Sequence, residues 1–381
     1  MHEQYDVIVV GVGAMGSAAC CELARRGARV LGIERFDIPN AQGSSHGLSR
    51  MIRLCYYEHP DYVPLLRRAY ELWRRLEDET GQKLLHVTGG VYIGRAGGEL
   101  VNRSRESALR HNLAHELLDH AQLAGRFPQF QLAAEHAALY EPMAGWLAPE
   151  RVVSALAEQA LRRGGRLHAR ETVRAWSADA SSATVTTDRA EYRADKLIFC
   201  GGPWSGQLLR DLQVELTVTR QVMTWVWPKR PEVFEDGRLP VWAVGHDDGT
   251  LHYGFPLSRG GDGGVGLKLA HHARGRVTDP DRVAREPLEG DQRSVREFID
   301  RFMPEADGPV LAQRVCLYTN SPDSHFIVDR HPHHPGRVIL ACGFSGHGFK
   351  FASVIGEVLA DLATRGATDL PTDFLSLRRF A

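Results

Sequence analysis

Gly11, Gly13 and Gly16 stand at GxGxxG spacing, after a short apolar run and at the start of a helix of small residues. In that context the first glycine permits a tight turn, the second leaves room for a pyrophosphate, and the third lets helix and strand pack closely. The helix N-terminus, with amides such as those of Ala14 and Met15, holds the pyrophosphate through its dipole. Glu34 closes the next apolar run, where a carboxylate accepts hydrogen bonds from ribose hydroxyls. An acid there favours an unphosphorylated ribose, hence FAD or NAD and not NADP. A second glycine-rich turn, Gly343-Phe344-Ser345-Gly346-His347-Gly348, precedes a helix near the C-terminus. Its amides can face the flavin C2 carbonyl and stabilise the charge that develops there on reduction, which selects FAD.

The six cysteines form no CxxC pair. Cys20, Cys21 and Cys200 sit among small apolar residues and read as core, and Cys342 reads as a filler at a strand end. On position alone Cys316 reads as core as well. His331, His333 and His334 lie between prolines without neighbouring acidic or cysteine ligands, so a solvated loop and no metal are expected.

The elements that position these groups alternate. Residues 5–10 predict a strand buried on both faces, 14–26 a helix stopped by Gly27, and 30–34 a strand, together a βαβ unit. Apolar residues at helical spacing (Tyr62, Leu65, Leu66, Ala69, Leu72, Trp73, Leu76) predict a helix over 62–79. A helix over 151–163 and strands over 166–169, 183–187 and 196–199 resume the alternation, ending at Gly201-Gly202-Pro203. The stretch 214–269 is β-rich, and 338–341 is another buried strand before the second turn and a helix over 351–364. The fold class is therefore α/β. A discontinuous Rossmann-like FAD-binding domain (1–85, 150–213, 310–381) carries an antiparallel β-sheet substrate domain (86–149, 214–309). Net charge is −1 and basic residues are scattered, which gives no footprint for nucleic acid or an anionic membrane. A cytoplasmic location is the default expectation.

From Gly43-Ser44-Ser45-His46-Gly47-Leu48-Ser49-Arg50-Met51-Ile52-Arg53 onward the chain resembles the monomeric sarcosine oxidase and N-methyltryptophan oxidase family of D-amino acid oxidase-like flavoproteins. Three further segments carry the resemblance in order: Tyr253-Gly254-Phe255-Pro256 with Gly266-Leu267-Lys268-Leu269, Arg314-Val315-Cys316-Leu317-Tyr318-Thr319, and Gly343 to Gly348 with Phe349-Lys350. The resemblance implies that Cys316 carries FAD as a thioether, with Arg314, His46 and Arg50 as sources of nearby positive charge. It implies that Lys268 activates oxygen, a fixed cation stabilising the superoxide first formed. Lys268, Arg50 and His46 are thus the expected catalytic residues. Arg53 and Lys350 are similar to the pair that binds a substrate carboxylate, while Tyr253, His272, Tyr318 and Ala243 are similar to cavity-lining residues. His272 follows Lys268 by four along a strand, so both point to one face. Arg35, Ser44, Ser49, Val173, Gly201, Trp204, His347 and Phe349 complete the expected flavin surroundings.

Leu48 stands where the family carries a carboxylate, Leu54-Cys55 where it carries His-Ala, and Ala243 where the sarcosine oxidases carry methionine. These departures leave flavin and carboxylate binding intact and open the question of the amine. The implied activity is oxidation of N-methyl (secondary) amino acids by a monomer. It yields an imine that hydrolyses to amine and aldehyde, with O2 reduced to H2O2. The alternatives are oxidation of a cyclic imino acid or other bulky amine, and a dehydrogenase that uses an acceptor other than oxygen.

Overall fold

The apolar run at the N-terminus is buried on both faces because Gln4–Val10 lies between two parallel neighbours, Val30–Ile33 and Glu191–Phe199. The structure, a computed structural model, describes residues 4–273 and 275–380. Around this strand an eight-stranded sheet is ordered Val173–Ala178, Ala183–Thr187, Glu191–Phe199, Gln4–Val10, Val30–Ile33, Arg166–His168. Val338–Cys342 joins it parallel to Glu191–Phe199 and pairs with Ile327–Arg330. Helix Ala14–Arg25 packs between Pro149–Arg162 and Ala352–Thr364, so both glycine turns are held by one helical layer. The predicted apolar stripe of Tyr62–Thr80 is buried, and Gly81 ends that helix at φ 65°.

A ten-stranded sheet forms the second layer. At its centre Thr217–Val226, Val265–His272, Leu251–Gly254, Val241–Gly245 and Gly90–Arg95 lie side by side. Alternation along Val265–His272 splits its two faces. Leu267 and Leu269 join the core under helix Arg293–Phe302, while Ala270 packs with Met223, Trp225 and Cys316 on the other side. Trp242 likewise faces the helix, stacked on Phe298 at 5.4 Å, which leaves its neighbour Ala243 facing the other way.

Two expectations change. The strand Val310–Asn320, assigned from sequence to the dinucleotide domain, pairs with Thr217–Val226 from Thr217↔Asn320 to Val226↔Val310 and so belongs to the second sheet. That register places Cys316 opposite Gln221, on the wall facing the dinucleotide layer. His331 is not in a solvated loop: it is fully buried beside Trp176, with Nε2 3.2 Å from Asp211. Among the described residues no helix is long and apolar enough to cross a membrane.

The contact between Ala14–Arg25 and Ala352–Thr364 depends on Gly356, where an added Cβ would stand 2.6 Å from the Ala18 carbonyl carbon and 2.8 Å from its oxygen. Alanine gains about 1 kcal/mol of helix propensity over glycine. Overpacking against backbone costs about 1–3 kcal/mol, and backbone cannot step aside cheaply. The prediction is that Gly356→Ala lowers stability by up to about 2 kcal/mol, read as a lower urea midpoint with unchanged slope.

Candidate active site

Between the two layers runs a cavity of about 540 Å³, lined at one end by the first glycine turn. Gly11 has φ 90°, and a Cβ there would lie 2.4 Å from the Cys200 oxygen. A Cβ on Gly16 would strike the Gly11 oxygen, so this glycine sits behind the turn and not in the cavity wall. Helix Ala14–Arg25 has no side-chain N-cap. The Ala14 amide donates to Ser45 Oγ at 3.1 Å. The Glu34 carboxylate accepts from the amides of Val12 and Phe36, each at 2.9 Å. Burial raises its pKa. Arg35, Val173, Gly201 and Trp204 line the same end. There Asp281 ties Arg35 (2.7 Å) to the Trp204 indole (2.9 Å).

Cys316 lines the same cavity, with Arg50 Nη2 3.5 Å from its sulfur. Arg50 also donates to the backbone oxygens of Ser44 (3.1 Å) and Ser49 (2.9 Å). Of the three charges expected near this sulfur, Arg50 is in place. Arg314 is exposed, its guanidinium 5.7 Å from the Trp225 ring centre. His46 is neutral: burial, then Arg50 and Lys268, push its pKa down to about 3. Neither of its ring nitrogens meets a partner in hydrogen-bonding geometry among the described residues.

Lys268 is fully buried behind the His46–Arg50 segment and does not line the cavity; nor do His46 and Ser49. Its ammonium donates to the Gly47 and Ser49 carbonyls, both at 2.6 Å, and to Ser49 Oγ at 3.2 Å. Burial, with Arg50 next, holds its pKa well below the usual lysine range. His272 shares its face, as expected, and its Nδ1 lies 3.1 Å from the Tyr318 hydroxyl. Burial holds His272 at about 4. Ala243 stands opposite Tyr253 and beside Tyr92 in the sheet, and all three line the cavity.

The second glycine turn closes this end. Gly343 and Gly346 take φ 63° and 79°, and a Cβ on Gly346 would meet the Tyr318 ring at 2.4 Å. Gly343, Gly346, Gly348 and Phe349 all line the cavity. His347 bridges the Tyr56 hydroxyl (2.6 Å) and the Ser324 oxygen (3.0 Å). Lys350 donates to the His347 oxygen at 2.8 Å. Arg53 is stacked on Tyr56 and Tyr57 and makes a two-pronged ion pair with Glu58 at 2.7 and 2.8 Å. Arg53 draws the Glu58 carboxyl down to about 2 against the effect of burial. The buried Glu141 accepts from the amides of Leu54 (2.6 Å) and Cys55 (3.0 Å) and from the Tyr92 hydroxyl (2.9 Å), fixing the chain just past Arg53. Sequence reasoning missed both acids.

A cavity that meets a helix end whose N-cap residue is a glycine without a capping side chain, with an acid at the ribose position, fits a dinucleotide flavin. The pattern of the FAD dependent oxidoreductase (DAO) family matches residues 6–362. The chain belongs to that family. It is 41% identical to a monomeric sarcosine oxidase of Streptomyces avermitilis, over 100% of this chain and 99% of that one. To an N-methyl-L-tryptophan oxidase of Yersinia pestis it is 33% identical, over 99% of each. The solved structure of NikD, an unusual amino acid oxidase essential for nikkomycin biosynthesis, superposes with TM-score 0.83 at 25% identity, covering 98% of this chain and 97% of that one. FAD is thus the cofactor of this fold, and the α/β class with a discontinuous dinucleotide sheet holds.

Burial and Arg53 bring Lys350 down to about 7, while His347 at about 3 and His272 at about 4 stay neutral through that range. Lys350 is a cation below about 7 and neutral above it. Affinity for a simple carboxylate without an amine should therefore be flat below that pH and weaken about 10- to 100-fold above it, the worth of one charged hydrogen bond. Binding titrations across pH test this, and Lys350→Met should bind weakly at every pH.

Proposed function

We propose that the protein is an FAD-dependent oxidase of N-methyl (secondary) amino acids. It works as a monomer in the cytoplasm, giving an imine that hydrolyses to amine and aldehyde, and H2O2 from O2. The observation that carries this reading is that the buried Arg53 and Lys350 line the same cavity as the Cys316–Arg50 pair. Bound FAD supplies the two-electron oxidation of the C–N bond and the route of those electrons to O2.

Arg53 and Lys350 bind the substrate carboxylate, Arg53 by exchanging Glu58 for it and Lys350 as a point charge. Tyr253, His272, Tyr318 and Ala243 wall the space for the amine and side chain. The neutral His272 can accept a proton or hydrogen bond without adding a charge that would repel a cationic amine. Cys316 would hold FAD as a thioether, a link whose formation is a two-electron oxidation for which O2 would be the acceptor. Arg50 offers that sulfur a charged hydrogen bond at 3.5 Å. Lys268 provides a fixed buried cation for charge developing on oxygen. Gly11, Gly13, Ala14, Met15, Glu34, Arg35, Ser44, Val173, Gly201, Trp204 and the 343–350 turn hold the rest of the cofactor, with His46, Ser49 and Gly16 as the layer behind them.

A second reading rests on Ala243: a methyl group between Tyr92 and Tyr253 leaves room for a cyclic imino acid or another bulky amine. A dehydrogenase with a non-oxygen acceptor is the third, and the buried Lys268 argues against it.

H2O2 production with sarcosine, N-methyltryptophan, pipecolate and proline separates the first two readings, and silence on all four removes the first. After acid precipitation flavin should stay with the polypeptide and be released in Cys316→Ala; a yellow supernatant from the natural protein would sink the covalent link. Lys268→Met should slow reoxidation by O2 about 100-fold, the scale of losing one preorganised electrostatic group.

A further inference from the structure

Glu150, in the first turn of helix Pro149–Arg162, has no place in the roles assigned so far. Its Oε1 accepts the Gly47 amide at 2.7 Å, and its two oxygens take the Leu48 amide at 3.3 and 3.1 Å. The Leu48 N–H and the Gly47 C=O belong to one peptide group. That carbonyl accepts the Lys268 ammonium at 2.6 Å. A carboxylate and a buried ammonium therefore grip the same peptide from opposite ends, each polarising it in the sense that strengthens the other bond.

The peptide lies in a strained segment. Ser49 N–H closes back on the Gly47 oxygen at 2.8 Å around Leu48, a γ-turn whose central residue has φ 68°. A leucine keeps such a conformation when its surroundings over-determine it. Here they do so through Glu150 on the amide side and Lys268 on the carbonyl side. Arg50 follows directly and reaches Cys316. Among the described residues no carboxylate forms an ion pair with Lys268.

We propose that Glu150 is a positioning residue for oxygen activation: through the 47–48 peptide it sets the place and charge of Lys268 without touching cofactor or substrate. The inference rests on the oxygen role of Lys268 given above. The charged and titratable groups facing Lys268 are Arg50 and His46 on the neighbouring segment, Arg314 and Cys316 on the strand Val310–Asn320, and Glu150 itself. Glu150 is the first of them that favours the ammonium; Arg50 and Arg314 oppose it. Removing its charge makes Lys268 lose its proton at lower pH.

The test is Glu150→Gln, alone and combined with Lys268→Met, in the FAD-loaded enzyme and in apoprotein. In the loaded enzyme the rate of reoxidation by O2 should fall about tenfold, and the upper limb of its pH profile should move to lower pH. In the Lys268→Met background the same change should add less than about twofold, because the two residues act as one unit. In apoprotein, hydrogen exchange of the Gly47 and Leu48 amides should quicken about tenfold with the global unfolding midpoint little changed. An unchanged pH profile, an undiminished loss in the Lys268→Met background, or unaltered exchange at those amides would each overturn the proposal. If Lys268→Met itself reoxidises at the natural rate, the lysine role falls and this inference with it; if only Glu150→Gln is silent, the inference alone falls. Should Glu150→Gln fail to fold, Glu150→Asp keeps the charge and should keep the upper limb in place, and a limb displaced downward in that variant would overturn the proposal.

Discussion

A buried ammonium has to be met by oxygen atoms, and in this fold those atoms belong to the segment that builds the middle of the active site. Stripping water from an unpaired lysine costs several kcal/mol. Lys268 recovers it from the Gly47 and Ser49 carbonyls and the Ser49 hydroxyl. The same short segment carries His46 and Arg50, and Arg50 in turn reaches Cys316. One contact between the second sheet and a loop of the dinucleotide layer thus fixes a cation, an arginine and a cysteine relative to one another. The neutrality of His46 follows from it, since Lys268 and Arg50 add to burial in disfavouring the imidazolium.

The charge balance differs along the cavity. Arg53 is already neutralised by Glu58, so a substrate carboxylate bound there, as proposed, would replace one anion with another and meet the extra cation Lys350. Around Cys316 the cations Arg50 and Lys268 share one nearby acid, Glu150, which forms no direct ion pair with either among the described residues. As proposed, that region would serve a group that becomes negative during the reaction. This suits the reduction of a flavin and then of oxygen, and it explains why two positive side chains are tolerated where burial alone would exclude them.

Much of this could be read from local pattern. The βαβ unit, the two glycine turns and the shared face of Lys268 and His272 follow from periodicities of 2 and 3.6 and from the backbone freedom of glycine. What could not be read is set by tertiary register. Glu141 and Glu150 act on amides far away along the chain, at Leu54 and at Gly47. Glu58 lies close to Arg53 in sequence, yet nothing in its type distinguishes a buried partner from a surface acid. The strand Val310–Asn320 reads as a continuation of the dinucleotide domain until its pairing with Thr217–Val226 is seen. His331 looked solvated because prolines flank its loop, whereas the Trp176 ring and Asp211 bury it.

If the proposed roles hold, the wall around Cys316 is net cationic towards the flavin ring. An optical titration of the ring N–H of bound FAD tests it, because the two candidate effects have opposite signs. Burial disfavours the ring anion and raises its pKa, while the Arg50 charge, which persists to high pH, favours it and lowers the pKa. The bound flavin should ionise at lower pH than free FAD in the same buffer. A midpoint equal to or above that of free FAD would contradict it.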